Sequence, residues 1–258
     1  MIIVTGYTGF IGKNYIKKSA LAKKILPIKR NLSKINKIKN KNIVIVNFAA
    51  LYQKKSFFKD VKKIVDSNYT YPIRVIESLI NNNNNITFFN ISSYFQLKEN
   101  KRKSNLYSVV KNSFKNILKF YETKGKFNFY NVYLYDVFGT GDKRNKIFRQ
   151  IILSYQSNKV LKVLSPYNYL VPVHIDTVVK ILDLYIADKN RPKEIHINQK
   201  EKIFVKDICE ISRYAFPKIK IKYKDNKKKD FLYKKNLTKY KIIRNLKNDL
   251  INFFSEYA

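Results

Sequence analysis

Cysteine is nearly missing from this chain of 258 residues: Cys209 is the only one. A single thiol builds no disulfide framework, so a reducing cytoplasm is the expected compartment. Histidine is as sparse, with His174 and His196 standing apart. No Cys/His grouping has metal-site spacing, so no metal is expected, and both histidines read as core or surface residues. Apolar runs are short, which excludes a transmembrane helix and leaves no membrane partner to expect. The N-terminus runs straight into an apolar strand and a glycine turn, which is not the pattern of a signal peptide. No internal repeat or clean linker is visible.

Acidic residues are the other shortage. Asp and Glu number 18 against 53 Lys and Arg, a formal net charge of +35. Such a balance is a footprint of nucleic-acid binding. Yet the excess is nearly all lysine, and the few arginines are scattered, whereas bidentate readers of phosphate and base favour arginine. Lysine travels here with asparagine and isoleucine, as in the Asn81–Asn85 run, which A/T-biased coding would produce. Most of it reads as solvated surface, and no nucleic-acid partner is expected. The dense run Lys222–Lys229 reads as a loop. A positive field would still steer a pyrophosphate-bearing cofactor and substrate toward a site. At 45% hydrophobic and 15% aromatic residues, the chain is not disordered as a whole. Its length suffices for one large core or two small lobes.

Two strings carry the chemistry. The first, Thr5-Gly6-Tyr7-Thr8-Gly9-Phe10-Ile11-Gly12, follows the apolar strand Ile2-Ile3-Val4. Gly6 permits a sharp turn, Gly9 a close approach of backbone to a pyrophosphate, and Gly12 close packing of the next helix on the sheet. That helix then offers its N-terminal N–H groups to the anion. The stretch Gly6, Thr8, Gly9, Phe10, Ile11 and Gly12 is therefore the expected dinucleotide cradle. Strand before and helix after give the motif its specificity.

The next apolar run, Ile25-Leu26-Pro27-Ile28, ends in Lys29-Arg30-Asn31. An NAD site wants a carboxylate there for the ribose hydroxyls, whereas an arginine suits a 2′-phosphate. Arg30 is read as the selector of NADP, with NAD as the alternative cofactor. Its plainer reading is one more surface cation.

The second string is Tyr107-Ser108-Val109-Val110-Lys111. Residues 104–123 read as a helix with an apolar stripe through Leu106, Val110, Phe114 and Leu118, capped by Ser104 or Asn105. Tyr107 and Lys111 are then i,i+4 neighbours. An ammonium near the phenol favours its ionised form, and makes it a usable general acid for a carbonyl oxygen as hydride reaches the carbon. Strand 86–91 ends in Ser92-Ser93; Ser93 is placed to hold the same oxygen, and Ser92 reads as a loop cap.

With these residues assembled, the chain resembles the extended short-chain dehydrogenase/reductases that act on nucleotide-activated sugars. The carriers are the Thr5–Gly12 turn, Asn47-Phe48-Ala49-Ala50, Ser92-Ser93, Tyr107…Lys111, and the 66–78 stretch with Asn68. Within that family the 66–78 stretch and the segment from Leu106 through Gly139 look most similar to the abequose-type reductases of 4-keto-6-deoxy sugars. The resemblance implies catalytic Ser93, Tyr107 and Lys111, and adds Ala49, Ala50 and Asn68, with Tyr107 and Lys111 themselves, to the cofactor contacts. It places Asp136 where the family often has an Asn for the sugar nucleotide, and Tyr169 where it often has an Arg for the phosphates. Family members that dehydrate the sugar follow the strand-end hydroxyl with an Asp-Glu pair. Here those positions are Tyr94 and Phe95. A 4,6-dehydratase thus lacks its acid and base.

The expected fold is α/β, a Rossmann-type doubly wound parallel sheet with a smaller C-terminal substrate lobe. Strands at 2–4, 25–28, 43–46, 86–91 and 129–135 alternate with helices at 11–24, 59–81 and 105–123. Pro72 should kink or split the second long helix. The segment 31–42 looks too short for a full strand–helix unit, so a trimmed sheet is expected. Residues 1–135 are assigned to NAD(P) binding and 136–258 mainly to the sugar, with 172–187 returning to the core. Helices are expected near 143–157, 176–187, 205–214 and 246–256, and short strands near 160–164, 171–174, 194–197 and 219–223. The implied reaction is NADPH-dependent reduction of a nucleotide-linked 4-keto-6-deoxy sugar, with a nucleotide sugar as partner substrate and a homodimer as the family's habit. Two alternatives stay open: a nucleotide-sugar 4-epimerase with bound NAD, and a non-catalytic cofactor-binding or RNA-binding derivative.

Overall fold

Four consecutive apolar or β-branched residues open the structure, and all four are buried in strand β1, Ile2–Thr5. A strand covered on both faces reads as a continuous apolar run, as parallel central strands do. The computed structural model describes residues 1–30, 32, 35, 38, 42–53, 58–81, 85–98, 105–125, 127–198, 202–224, 240, 242 and 244–258. Asn31, Ser104 and parts of the 31–42, Asn81–Asn85 and Lys222–Lys229 segments lie outside them.

After β1 come α1 (Phe10–Lys18), β2 (Ile25–Ile28), β3 (Asn42–Asn47), α2 (Phe58–Val65), α3 (Tyr71–Ile80), β4 (Asn85–Ser93), α4 (Leu106–Thr123) and β5 (Phe127–Leu134). Then follow β6 (Asp136–Phe138), α5 (Ile147–Gln156), β7 (Leu161–Val163), β8 (Tyr169–Leu170), β9 (Pro172–His174), α6 (Ile175–Ala187) and β10 (Glu194–Ile197). The chain closes with β11 (Ile203–Phe204), α7 (Val205–Ser212), β12 (Ile221–Tyr223) and α8 (Leu246–Ser255).

The main sheet has six strands in the order β10-β5-β4-β3-β1-β2. The pairs β2–β1, β1–β3, β3–β4 and β4–β5 are parallel. Strand order reverses at β1, so a crevice opens beyond the carboxyl ends of β1 and β3, where such sheets bind ligands. Among the described residues β2 is the edge strand on that side. Two helical expectations are refined. The helix expected over 11–24 stops at Lys18, because Ser19 Oγ donates to Asp183 Oδ1 (2.6 Å) and accepts the Leu21 N–H (3.0 Å). The pattern over 59–81 is split by one wide π turn, Asp66–Thr70, and Pro72 sits in the first turn of α3. There its missing N–H costs nothing.

The described chain forms two compact units: Met1–Leu134 with Leu182–His196, and Tyr135–Ile181 with Ile197–Ala258. The first is centred on Ile3, Ile45, Val75, Phe88 and Phe114, all fully buried. Its returning segment is Leu182–His196 rather than 172–187, because β9 pairs with β6 inside the second unit. That unit packs Phe138, Phe148, Phe216, Phe253 and Phe254 around three two-stranded ribbons, β6–β9, β8–β11 and β7–β12.

Candidate active site

The glycine turn is built so tightly that side chains are excluded. Gly6 has φ +65°, and a Cβ there would lie 2.3 Å from the Ala49 amide nitrogen. A Cβ on Gly12 would lie 2.5 Å from the Gly6 carbonyl oxygen. The turn is closed by Gly9 N–H to Gly6 O (3.1 Å), and it adjoins the end of β3 through Phe48 N–H to Thr5 O (3.1 Å). Thr5 Oγ1 adds a bond to buried Asn47 (2.5 Å). Gly6 and Ala49, far apart in sequence, are thereby in contact, with Ala50 beside them on the surface. Thr8, Phe10 and Ile11 lie on the turn and the first turn of α1, whose N-cap, Gly9, brings no side chain to the first N–H groups. That cradle fits an anion and a dinucleotide's close backbone contact.

Asn68 is fully buried, in the π turn. Its amide clamps the loop after Ala50: Nδ2 donates to Leu51 O (2.9 Å) and Ile64 O (2.8 Å), and Oδ1 accepts the Leu51 N–H (3.3 Å). Asn68 thus fixes the Leu51 backbone, directly after the Ala49-Ala50 pair. The sequence pattern gave the residue but not this use of it.

Arg30 lies exposed just beyond the end of β2, and its Nη2 donates to Ser67 Oγ (2.8 Å). Tyr71 OH donates to the neighbouring Lys29 carbonyl (3.1 Å). Burial pushes the Tyr71 phenol up to about 12, with the Arg30 charge opposing and Tyr7 of the glycine turn reinforcing the shift. Arg30, Tyr7 and Tyr71 therefore share one neighbourhood at the edge of the turn. Ser67 and Tyr71 were missed from sequence, because nothing local ties them to Arg30.

The third cluster joins α4 to the end of β4. Asn105 caps α4, its Oδ1 accepting the Ser108 N–H (2.9 Å). Lys111 is fully buried and its Nζ donates to the Ile91 carbonyl (2.9 Å). Burial lowers its pKa from 10.5 to about 8. Tyr107, one turn earlier and 8% exposed, lies on the same helix. Ser93 ends β4, and its N–H donates to Gln96 Oε1 (3.1 Å), while Gln96 Nε2 donates to Asn112 Oδ1 on α4 (2.9 Å). Gln96, buried and unmarked in sequence, is a second tie between strand end and helix. Ser92 is corrected from loop cap to strand: it is buried in β4, and its Oγ accepts from Asn90 within an Asn90–Asn131 polar pair. An aromatic ring flanks Tyr107. Tyr52 meets it edge-on at 5.4 Å between centroids and stacks on Phe95 at 5.7 Å.

In the second unit, Asp136 is 8% exposed and its Oδ2 accepts the Val171 N–H (3.0 Å), locking β6 to β9. Its charge also faces Lys146, whose pKa is lowered by burial and by Arg144. Tyr169 stacks on Phe204 (4.0 Å) under the Lys202 ammonium (4.4 Å to the ring centre). Among the described residues no group of three His, Cys, Asp or Glu side chains is arranged to hold a metal ion. No helix of the described residues is long and apolar enough to cross a membrane.

A tight glycine turn at the reversal point of a parallel sheet, with a Tyr/Lys helix beside a serine-ended strand, defines a class. A model of the NAD dependent epimerase/dehydratase family matches residues 2–198, and the chain belongs to that family. It is an extended short-chain dehydrogenase/reductase, similar to enzymes that modify nucleotide sugars. CDP-abequose synthase of Yersinia pseudotuberculosis is 30% identical over 152 residues, covering 57% of this chain and 52% of that protein. The chain thus spans about half the length of that relative. In fold, UDP-glucuronic acid 4-epimerase of Bacillus cereus, in complex with NAD, matches with a TM-score of 0.72 at 17% identity, over 86% of this chain and 85% of that one. RMD of Pseudomonas aeruginosa, complexed with NADPH, matches with a TM-score of 0.72 at 13% identity, over 86% and 87%.

Proposed function

We propose that this protein reduces the keto group of a nucleotide-linked 4-keto-6-deoxy sugar with NADPH. The observation that carries the reading is the tie of Lys111 to Ile91 O, which fixes the Tyr107 helix against the strand that ends in Ser93. Similarity to CDP-abequose synthase supports the substrate class. Aromatic residues at positions 94 and 95 speak against dehydration, which needs a carboxyl acid and base there.

The first unit would hold the cofactor. Backbone N–H groups at Thr8–Gly12 take the pyrophosphate, Ala49 and Ala50 line the crevice, and Asn68 keeps their loop in place. Arg30 takes a 2′-phosphate, already steadied by Ser67. A bound reduced nicotinamide supplies the hydride. Tyr107 gives its phenolic proton to the carbonyl oxygen, so that C=O becomes CH–OH. Ser93 Oγ donates to the same oxygen and orients it. Lys111, fully buried with its ammonium on the Ile91 carbonyl rather than exposed toward a ribose, stabilises by its charge the phenolate that Tyr107 becomes, until solvent returns the proton. The second unit, with Asp136 and Tyr169, would take the nucleotide sugar.

The test is NADPH consumption against a panel of CDP-, dTDP-, GDP- and UDP-linked 4-keto-6-deoxy sugars. Stoichiometric oxidation with at least one member is the expected result. Purification with tightly held NAD(H) and no net reductant use would instead identify an epimerase.

A further inference from the structure

We infer that the stacked rings of Tyr52 and Phe95 form a wall that receives an unhydroxylated flank of the sugar beside its keto group, the C5 methyl in the substrate proposed above, and so select deoxy sugars. The inference rests on that functional reading and adds the residues that set its specificity. Tyr52 follows the clamped Ala49–Leu51 loop, and its ring is parallel to Phe95 within 2° at 5.7 Å. The pair adjoins both hydroxyl-bearing residues of the site, through the Tyr52 ring on one side and the Phe95 backbone on the other. Tyr52 meets the Tyr107 ring edge-on at 5.4 Å, and the Phe95 N–H lies 3.4 Å from Ser93 Oγ. The buried Tyr94 also stacks on Phe95, at 4.5 Å, and helps to fix that ring in place. Its front is open: Tyr52 is 47% exposed.

A keto oxygen held jointly by Tyr107 and Ser93 puts the adjoining carbon and its substituent next to this pair. A methyl gains apolar contact there. A hydroxymethyl would lose water at its hydroxyl against the Phe95 ring, which neither donates nor accepts a full hydrogen bond. An apolar wall discriminates against an added hydroxyl only moderately, by roughly ten- to a hundredfold.

The experiment compares kcat/KM for NADPH oxidation with two CDP-linked 4-keto hexoses that differ only at C6, methyl against hydroxymethyl. Wild type should favour the methyl sugar by about tenfold or more. Phe95→Leu keeps an apolar side chain and should keep the preference. Phe95→Asn puts an amide at the wall and should bring the two sugars within about twofold, chiefly by raising the hydroxymethyl sugar's rate relative to the other. NADPH titration of each variant verifies that the cofactor site still forms. Equal use of both sugars by wild type, or an unchanged preference in Phe95→Asn, overturns the inference while leaving the reductase reading intact. Failure of both sugars and of the nucleotide panel removes the reductase reading, and the inference with it.

Discussion

Lys111 spends its buried ammonium on the carbonyl of Ile91, two residues before Ser93 (2.9 Å). One bond thus couples the helix that carries Tyr107 to the strand that ends in the serine. A charged group in this environment is costly to keep, and its pKa records that cost. The placement of the Tyr107 helix therefore depends on a group whose pKa burial lowers to about 8.

The pH behaviour follows. The folded chain begins to lose this proton near pH 8, whereas the ordinary value is 10.5. Between those values the unfolded chain binds more protons, so this group's contribution to stability rises with pH across that window. Its cost, about 3 kcal/mol, is fully present below pH 8. Denaturant unfolding at pH 7 to 10 should show the advantage of Lys111→Met over wild type shrinking as pH rises. A constant difference would contradict the burial assigned to Lys111. Turnover should also fall through about pH 8 as the ammonium is lost.

Gly6 and Gly125 share a positive φ but not a neighbourhood. A Cβ on Gly6 collides with the Ala49 backbone at 2.3 Å, whereas on Gly125 it meets nothing within 4 Å. Gly125→Ala should cost about 1 kcal/mol, from backbone strain alone. Gly6→Ala should cost several-fold more and abolish NADPH binding, since the turn and the Ala49 loop must part. Thermal unfolding with a cofactor titration measures both. Comparable behaviour of the two variants would show that the close approach does not matter.

The parts of the site that the sequence made legible are local ones. Gly6, Gly9 and Gly12 act within one turn, and Tyr107 and Lys111 lie on one helix, so spacing alone reveals them. Similarly, β1 and the centre of β3 are continuous apolar runs. What stayed hidden joins distant residues: Arg30 to Ser67 over 37 positions, and Ser19 to Asp183 over 164, which ends α1 early. Ribbons such as β8–β11, two residues a strand, are too short for any periodicity. Asn68 was legible as a site residue, but its partner, the Leu51 backbone, has no side-chain signature. Tyr52 and Gln96 carry no motif and became visible only through their contacts.

Arg30 should govern cofactor choice. A charge-assisted bond to a 2′-phosphate contributes on the order of 1.5–3 kcal/mol, roughly ten- to a hundredfold in affinity. Arg30→Ala should weaken NADPH by that factor and leave NADH nearly unchanged. Lys29, which carries charge without a planar fork, compensates only in part. Paired titrations of wild type and variant decide it: equal loss for both cofactors, or a wild-type preference for NADH, would make Arg30 an ordinary surface cation.

The reductase reading requires hydride delivery to a sugar carbonyl with Tyr107 as proton donor. It is tested most directly with NADPH deuterated at the transferable position, turned over on a nucleotide-linked 4-keto-6-deoxy sugar by wild type and Tyr107→Phe. Wild type should consume one NADPH per product and leave one deuterium on the reduced carbon. Tyr107→Phe should bind NADPH nearly as well and turn over about a hundred- to ten-thousandfold more slowly, as loss of a general acid does. A product free of deuterium with NADPH undiminished, or a Tyr107→Phe enzyme at full rate, would contradict the account.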